Sequence, residues 1–380
     1  MKNHHIIFIA GAGGIAEAVG LILAEWSEIT PTIFIGNRTL SKALKVAKWI
    51  EDGTTKPCTV KGFKLPEVGI TEELKNVLTQ SDIILDCLPG SLAPKMAHLA
   101  KDFQLHYVNL TEYVTETNKI ITLAKDASTG FALQTGLAPG YINVLANHLF
   151  QKFCINFNID TVNKLEFKVG ALTKHAVAPH YYGFTWSPVG VATEYCKDAM
   201  TLRNYKKVIL PALSERATII IDGVKYEEDL TSGGAADLPD ALNGKVTTLD
   251  YKTLRYPGHY NWIQKQLSKV KKSKNTINLL QQKMEVNIPY IEDDQVVFYA
   301  AIEENDNLGI LRRKEISNCI KPQKVGKHTL KAIQATTAAP MAQVAQLVLE
   351  KPIKGVLLQS EIDTISFLNG KYIVPVYGVV

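Results

Sequence analysis

The stretch His5-Ile6-Ile7-Phe8-Ile9-Ala10-Gly11-Ala12-Gly13-Gly14-Ile15-Ala16 decides the reading of this chain. Its first six residues are an apolar run of strand length. The next six follow at once and fit G-x-G-x-x-A. Residues 17–29 have a helical pattern, and Pro31-Thr32-Ile33-Phe34-Ile35-Gly36 reads as a second strand. In a strand–turn–helix–strand context this glycine pattern marks a dinucleotide site. Gly11 allows the tight turn, Gly13 lets the backbone approach a pyrophosphate, and Ala16 lets the helix lie close on the strand. The helix N-terminus offers free N–H groups and a partial positive charge to the phosphates. Gly11, Ala12, Gly13, Gly14 and Ile15 are therefore candidate cofactor-binding residues.

The end of the second strand refines the cofactor. An NAD-selective site usually places Asp or Glu there, to accept hydrogen bonds from the ribose 2′-OH. Here the residues are Asn37, Arg38 and Thr39, with Lys42 one turn later. Asn37 removes the carboxylate that would repel a 2′-phosphate. Arg38 can bond that phosphate and stack on adenine, and Thr39 can donate a hydroxyl. NADP(H) is the expected cofactor, with NAD(H) as the alternative. In the purely structural reading, Thr39 caps the next helix and Lys42 is solvated surface.

Composition bounds the rest. With 380 residues the chain is too long for one ordinary core, so two domains are expected. An apolar fraction of 46% and a charged fraction of 21% are an ordinary globular balance. A net charge of +5 over this length is too weak for a nucleic-acid surface. Lys269, Lys271, Lys272 and Lys274 form one basic cluster in a helical segment, read as a solvated face. Cys58, Cys87, Cys154, Cys196 and Cys319 are scattered, with no C-x-x-C pair. That pattern points to reduced thiols, no zinc site and a cytoplasmic setting. Met1 lies too close to the first strand for a signal peptide to fit. No apolar run is long enough to span a bilayer, so no membrane partner is expected.

Further strands are expected at residues 59–63, 82–87, 106–110 and 130–134, with a helix at 41–51. Six short apolar strands separated by helices predict an α/β fold with a Rossmann-type, doubly wound parallel sheet. Ligands in such sheets sit beyond the carboxyl ends of the strands. That nominates Leu88-Pro89-Gly90, Thr111-Glu112-Tyr113 and residues 135–140. Beyond about residue 145 the pattern changes. Strand-like runs at 164–170, 207–210, 218–221 and 296–302 predict a second, α+β domain with a mixed or antiparallel sheet. Residues 326–350 are rich in alanine, and Pro340 is expected at the first turn of a helix that returns to the first domain. The expected domains are 1–140 for the dinucleotide, 141–325 for substrate and dimerisation, and 326–380 returning to the first.

Three further segments carry a resemblance. They are Thr135-Gly136-Leu137-Ala138-Pro139-Gly140-Tyr141-Ile142-Asn143, Phe184-Thr185-Trp186-Ser187-Pro188-Val189-Gly190 and Thr253-Leu254-Arg255-Tyr256-Pro257-Gly258-His259. They resemble the G-L-x-P-G, F-[ST]-W-S-P and T-L-R-Y-P-G-H segments of the saccharopine dehydrogenase family, which includes lysine 6-dehydrogenases and carboxynorspermidine dehydrogenases. With the glycine loop, four matches stand in the expected order across most of the chain. The resemblance implies hydride transfer between a nicotinamide and an amine carbon, through an imine, on an amino-acid substrate. It also implies a homodimer built through the second domain.

Read physically, the turn from Gly136 to Gly140, with Pro139 within it, is suited to line the nicotinamide. Leu88, Pro89, Thr111 and Glu112 stand beside it at the strand ends. Asn143 can bond a substrate carboxylate or the carboxamide, or be a simple first-turn polar residue. Trp186 offers a flat wall for a methylene chain and Thr185 a hydroxyl. Arg255 offers a planar fork for the substrate carboxylate; its structural alternative is an ion pair. His180 and Tyr182 are the proton-transfer candidates, with Lys174 beside them; His259 is read as a substrate contact or a satisfied structural histidine. Gln134, Ala138 and Val189 depart from the pattern of saccharopine-forming members. The expected function is a saccharopine dehydrogenase-like NAD(P)-dependent oxidoreductase, with lysine 6-dehydrogenase and carboxynorspermidine dehydrogenase activities as alternatives. A non-enzymatic NADP-binding regulator is a further reading, as is redox-neutral chemistry on polyamines.

Overall fold

The computed structural model describes residues 4–270, 275–351 and 353–380. They form two compact units. The first comprises the described residues up to Tyr141, Gln323–Leu330 and Gln334–Val380; the second comprises Ile142–Pro322 and Lys331–Ile333.

In chain order the first unit opens with β1 (Ile6–Ala10), α1 (Gly14–Trp26), β2 (Thr32–Asn37), α2 (Leu40–Gly53), β3 (Thr59–Lys64) and α3 (Glu72–Gln80). It continues with β4 (Ile83–Asp86), α4 (Ala93–Asp102), β5 (His106–Asn109), α5 (Val114–Ala124) and β6 (Gly130–Ala132). The helix α6 (Tyr141–Phe157) leads into the second unit. There follow β7 (Val162–Thr173), α7 (Pro188–Cys196), β8 (Ala199–Arg203), β9 (Lys206–Leu210), β10 (Ala217–Ile221), β11 (Val224–Leu230) and α8 (Leu238–Ala241). Then come β12 (Val246–Arg255), α9 (His259–Ser268), α10 (Thr276–Asn287), β13 (Asp294–Asn305) and β14 (Leu311–Ile320). The chain ends with β15 (Gln323–Val325), β16 (His328–Leu330), α11 (Ala332–Glu350), β17 (Gly355–Leu357), α12 (Thr364–Leu368) and α13 (Val374–Tyr377).

The first unit is built on a seven-stranded sheet in the order β17-β6-β5-β4-β1-β2-β3. Every pairing is parallel. Parallel strands are covered on both faces, so they read as continuous apolar runs. β4 is buried at all four positions and β1 at the last four of five. Phe8, Phe34, Phe63, Ile84, Tyr107 and Phe131 fill the core on one side of this sheet. Because the strands are parallel, the loops that leave their carboxyl ends share one edge. The doubly wound α/β reading holds, with one addition: β17, paired to β6, is a seventh strand from the C-terminal segment.

The second unit has a mixed sheet in the order β10-β11-β12-β7-β13-β14, with β8 on β12 and β9 on β8. Only β12 and β7 run parallel. Four of its strands, β8, β11, β12 and β14, fall outside the expected runs. Their sequences carry many polar residues, and β7 and β12 bury several of theirs. Lys168 is buried between Glu166 and Glu228, its Nζ lying 2.9 and 2.5 Å from their carboxylate oxygens. Such pairing satisfies charges that a pattern reading assigns to loops.

Helix limits also differ from expectation. α1 starts at Gly14 rather than residue 17, because Gly13 is the extended N-cap and the turn ends inside the helix. Of the basic cluster, Lys269 directly follows α9, while Lys271, Lys272 and Lys274 lie outside the described residues. The largest correction is Pro340, which lies inside α11 and does not begin it. The start is fixed by Asp294, whose two carboxylate oxygens accept from the N–H groups of Ala332 and Ile333 at 2.8 Å each. Pro340 has no N–H for the carbonyl of Thr336, one turn back. The Tyr377 hydroxyl donates to that carbonyl instead, at 2.5 Å. The Tyr377 ring is stacked on Tyr141 with centroids 3.5 Å apart. The alanines of α11 are buried throughout.

Removing the Tyr377 hydroxyl should therefore cost about 1–3 kcal/mol, the penalty for a buried acceptor that loses its donor. Urea unfolding of Tyr377→Phe measures it. In a Pro340→Ala background, which restores the helical N–H, the same change should cost clearly less.

Candidate functional site

The first candidate region is the carboxyl edge of the parallel sheet. Gly11 has φ of +119°, and an added Cβ there would lie 3.0 Å from the Cys87 carbonyl oxygen. Only glycine turns the chain at this point. Gly13 is exposed, and an added Cβ would meet nothing within 4 Å. The first backbone bond of α1 runs from Glu17 N to Gly13 O at 3.0 Å. The N–H groups ahead of it have no acceptor within the helix. A bare glycine turn and open helical N–H groups are the donor set that a pyrophosphate needs, so these residues fit the expected group. Ala12 and Ile15 are half-buried beside them, and the Gly14 carbonyl accepts from Gln334 Nε2 at 3.0 Å.

At the end of β2, Asn37 Nδ2 donates to the Thr39 carbonyl at 3.2 Å. Thr39 is the N-cap of α2, yet its hydroxyl makes no capping bond. Lys42 is exposed. The Arg38 side chain is 77% exposed and sits 3.9 Å from the equally open Glu67 carboxylate. Such a surface pair contributes only about 0–1 kcal/mol. Arg38, Thr39 and Lys42 thus present three polar groups on one exposed turn.

The loops after β4, β5 and β6 are joined from beneath. Asp86 ends β4 and is buried, with its carboxyl pushed up to about 6 by burial. Its Oδ1 accepts from Leu88 N at 3.0 Å and its Oδ2 from the Tyr107 hydroxyl at 2.7 Å. Asn109 Nδ2 donates to the same hydroxyl at 3.4 Å. Asn109 Oδ1 accepts from Gln134 N at 2.9 Å. Gln134 has φ of +63°, a left-handed conformation that is uncommon away from glycine. Pro89 is exposed, Thr111 is buried and accepts from Tyr113 N at 3.3 Å, and Glu112 is half-buried. Beyond Gln134, Gly140 has φ of +138° and lies against Gly136, where a Cβ would be 1.9 Å from the Gly136 carbonyl oxygen. Pro139 is buried within this turn. Cys87 lies 3.8 Å from Met341 Sδ, and burial pushes its thiol up, which makes it a poor nucleophile.

The second region lies in the second unit. The Phe184–Gly190 segment is a helix start: Ser187 is the N-cap of α7, accepting from Gly190 N at 3.4 Å, and Pro188 follows it. The Trp186 ring rests on Gly190, where a Cβ would come within 2.3 Å. The Thr253–His259 segment is a strand end and a second helix start. Arg255 closes β12, and Gly258 takes φ of +100° ahead of α9. Arg255 is 1% exposed. Its Nε donates to the Tyr195 hydroxyl at 2.7 Å, one NH2 donates to the Leu254 carbonyl at 2.9 Å, and the other is 4.0 Å from Glu194. Its guanidinium lies 4.9 Å from the Tyr182 ring centre.

His259 continues this cluster. Its Nδ1 is 2.7 Å from the His180 carbonyl, which can only accept, so Nδ1 carries the proton. Its Nε2, 3.0 Å from the Tyr195 hydroxyl, accepts in turn. Burial, and then Arg255, lower its pKa to about 3, so it is neutral. His180 accepts from Tyr182 N at 3.2 Å, and burial lowers its pKa. Burial raises the Tyr182 phenol against the pull of Arg255, so this group holds its proton. The Thr185 hydroxyl is buried with no hydrogen-bond partner among the described residues. Lys174 pairs with Asp293 at 2.6 Å.

Comparison with known proteins now bears on both regions. The model of the saccharopine dehydrogenase NADP binding domain matches residues 7–132, and that of the saccharopine dehydrogenase C-terminal domain matches residues 136–369. The chain belongs to the saccharopine dehydrogenase family. Among solved structures it is similar to the apo, L-Glu-forming saccharopine dehydrogenase of Saccharomyces cerevisiae, with 16% identity, TM-score 0.71, and coverage of 97% of this chain and 98% of that one. It is also similar to the homospermidine synthase of Legionella pneumophila in complex with NAD, with 13% identity, TM-score 0.71, and coverage of 98% and 90%. At these identities the two structures establish the fold. The two family models make this chain a saccharopine dehydrogenase-family NAD(P)-binding oxidoreductase.

Within this family member, Gly11–Ile15, Asn37–Lys42, Leu88–Pro89, Thr111–Glu112 and Gly136–Pro139 all follow parallel strands of one sheet and share its carboxyl edge. His180, Tyr182, Trp186 and Arg255 gather in one cluster, with Thr185 next to Trp186 in the chain. Asn143 stands apart from that cluster, fully buried, with Nδ2 donating to the Gly234 carbonyl at 3.0 Å. Asp86, Tyr107 and Asn109 were not singled out in the sequence; a polar residue closing an apolar strand run was the available signal. Glu194 and Tyr195 carried none. Among the described residues no group of three or more His, Cys, Asp or Glu is placed to hold a metal, and no helix is long and apolar enough to cross a membrane.

The placement of Arg255 predicts a stability effect. Arg255→Ala removes the cation beside Glu194 and the donor to Tyr195, and should cost about 3–5 kcal/mol, as breaking a buried pair does. Chemical denaturation reports it; a loss below about 1 kcal/mol would mean the guanidinium supports little.

Proposed function

We propose that this protein is an NADP(H)-dependent dehydrogenase acting at the amine or imine carbon of an amino-acid substrate of the lysine and saccharopine class. The observation that carries the cofactor choice is the turn after β2. It has no carboxylate, and it offers the exposed Arg38, the uncommitted Thr39 hydroxyl and Lys42. In this reading those three hold the 2′-phosphate, and the N-terminus of α1 with Gly13 holds the pyrophosphate. The bound nicotinamide supplies the two-electron chemistry. The match to the family's C-terminal domain over residues 136–369 supports the substrate class.

In the second unit, Trp186 provides a flat apolar wall for a methylene chain, and the buried Thr185 hydroxyl takes a polar group of the substrate. Tyr182 and His180 are the candidates for proton transfer to nitrogen, and they lie together, His180 accepting from the Tyr182 N–H. Arg255 supports the Tyr182 ring and orients Tyr195, in place of the carboxylate-binding role read from its fork geometry alone. Lysine 6-dehydrogenase and carboxynorspermidine dehydrogenase activities belong to the same chemistry and differ in substrate.

Arg38→Ala should weaken NADPH more than NADH by about 1–3 kcal/mol, the value of a hydrogen bond to a charged group. Fluorescence titration with both coenzymes measures the difference. An equal loss would remove the 2′-phosphate contact.

Nicotinamide absorbance should change when the protein meets lysine, lysine with 2-oxoglutarate, or saccharopine. NADPH binding with no turnover on any of the three would remove this substrate class. A polyamine converted without net change in absorbance would place the chemistry among redox-neutral reactions.

A further inference from the structure

Beneath the carboxyl edge of the first unit lies a chain of buried side chains to which the proposed chemistry assigns no role. It runs Leu88 N–H to Asp86, Tyr107 hydroxyl to Asp86, Asn109 amide to Tyr107, and Gln134 N–H to Asn109. Its members come from the ends of β4 and β5 and the residues just past β6. Thr135 adds its N–H and its hydroxyl to the Asn109 carbonyl, each at 2.9 Å. The Tyr107 hydroxyl also lies 3.2 Å from the Ala93 carbonyl, at the start of α4.

The direction of every bond is forced. Asp86 as a carboxylate can only accept, so the Tyr107 hydroxyl commits its proton to it. That hydroxyl can then only accept from Asn109, which must present Nδ2. Oδ1 of the same amide is thereby turned to the Gln134 N–H. Turning the Asn109 amide over would set its Nδ2 against the Gln134 N–H, donor against donor. Asp86, Tyr107 and Asn109 are at most 2% exposed, so water offers no substitute partner.

The two ends of this chain are the loops that face the cofactor edge. At one end Asp86 fixes the first amide of the Leu88-Pro89-Gly90 loop. At the other, Asn109 clamps Gln134 in its left-handed conformation and Thr135 beside it, immediately ahead of the Gly136–Gly140 turn. We propose that Asp86, Tyr107 and Asn109 are positioning residues that set the Leu88-Pro89-Gly90 loop and the Gly136–Gly140 turn as one unit, so that NADP(H) affinity depends on a continuous buried chain. The inference rests on the cofactor placement proposed above. Titration of the unaltered protein with NADPH tests that placement separately: if no NADPH binds, the placement fails, whatever the variants do.

Given binding by the unaltered protein, Tyr107→Phe keeps the ring and removes the link to both neighbours. Asn109→Ala removes the clamp on Gln134. Each should raise the NADPH dissociation constant about tenfold, the effect of one lost intramolecular hydrogen bond on a binding equilibrium. The double variant should raise it by little more than either single change, because both break the same chain. The measurement is made well below the melting temperature of each variant, with circular dichroism confirming the fold. Loss of thermal stability with unchanged NADPH affinity would overturn the proposal. So would a double variant near a hundredfold, the product expected of two independent sites. If Asn109→Ala does not fold, the ring-preserving Tyr107→Phe decides alone: unchanged affinity overturns the proposal.

Discussion

The Cys87 carbonyl crowds the position a side chain would take at Gly11, whose positive φ already favours glycine, and the cofactor edge is arranged around that close approach. Gly11 N donates to the Gly36 carbonyl on one side, while Cys87 N donates to the Ala10 carbonyl on the other. The chain is therefore still held by both neighbouring strands at the residue where it must turn. A positive φ at Gly11 meets both demands and sends the chain directly into α1. β1 lies between β2 and β4, where the strand order reverses, so the opening of α1 stands at the switch point of the sheet. The loops after β2, β4, β5 and β6 reach the same edge because all these strands run parallel.

This part of the fold was legible in the sequence for a physical reason. A parallel sheet covered on both faces needs apolar residues at nearly every position, so each strand is a short, unbroken run. Where a segment satisfies its own requirements, its sequence announces them. β17 was missed because three residues, Gly355–Leu357, make too short a run to stand out.

The second unit was harder to read because its strands satisfy their polar groups across the sheet. Glu166 is held down to about 2, against the cost of its burial, by Lys168 and Lys164. Asp250 and Lys252 alternate on β12 in register with Glu166 and Lys168 on β7. Lys168 also pairs with Glu228 on β11, and Glu166 with Arg313 on β14, and a strand pattern taken alone does not contain those partners. The same holds for α11. The carboxylate that caps it belongs to Asp294 on β13, and the donor that relieves Pro340 belongs to Tyr377. A local reading therefore took Pro340 for the helix start, when tertiary partners had moved the start to Ala332.

The candidate sites divide along the same line. Arg38 and Arg255 are both arginines at or just beyond the end of a β-strand, and the sequence suggests an anionic partner for each, a 2′-phosphate for Arg38 and a carboxylate for Arg255. Their surroundings give them different tasks. The carboxylate beside Arg38, that of Glu67, is open to solvent, so an anion can displace it at little cost. Around Arg255 the acceptors are a buried phenol, a strand carbonyl and a carboxylate, and its flat face is covered by Tyr182. An incoming carboxylate would have to break those bonds before it could make its own. In this chain Arg255 is bonded to Tyr195 and covered by Tyr182, and His259 at the start of α9 bonds to Tyr195 as well. Among the described residues, the turn after β2 and the buried Thr185 hydroxyl carry polar groups that the fold does not already use.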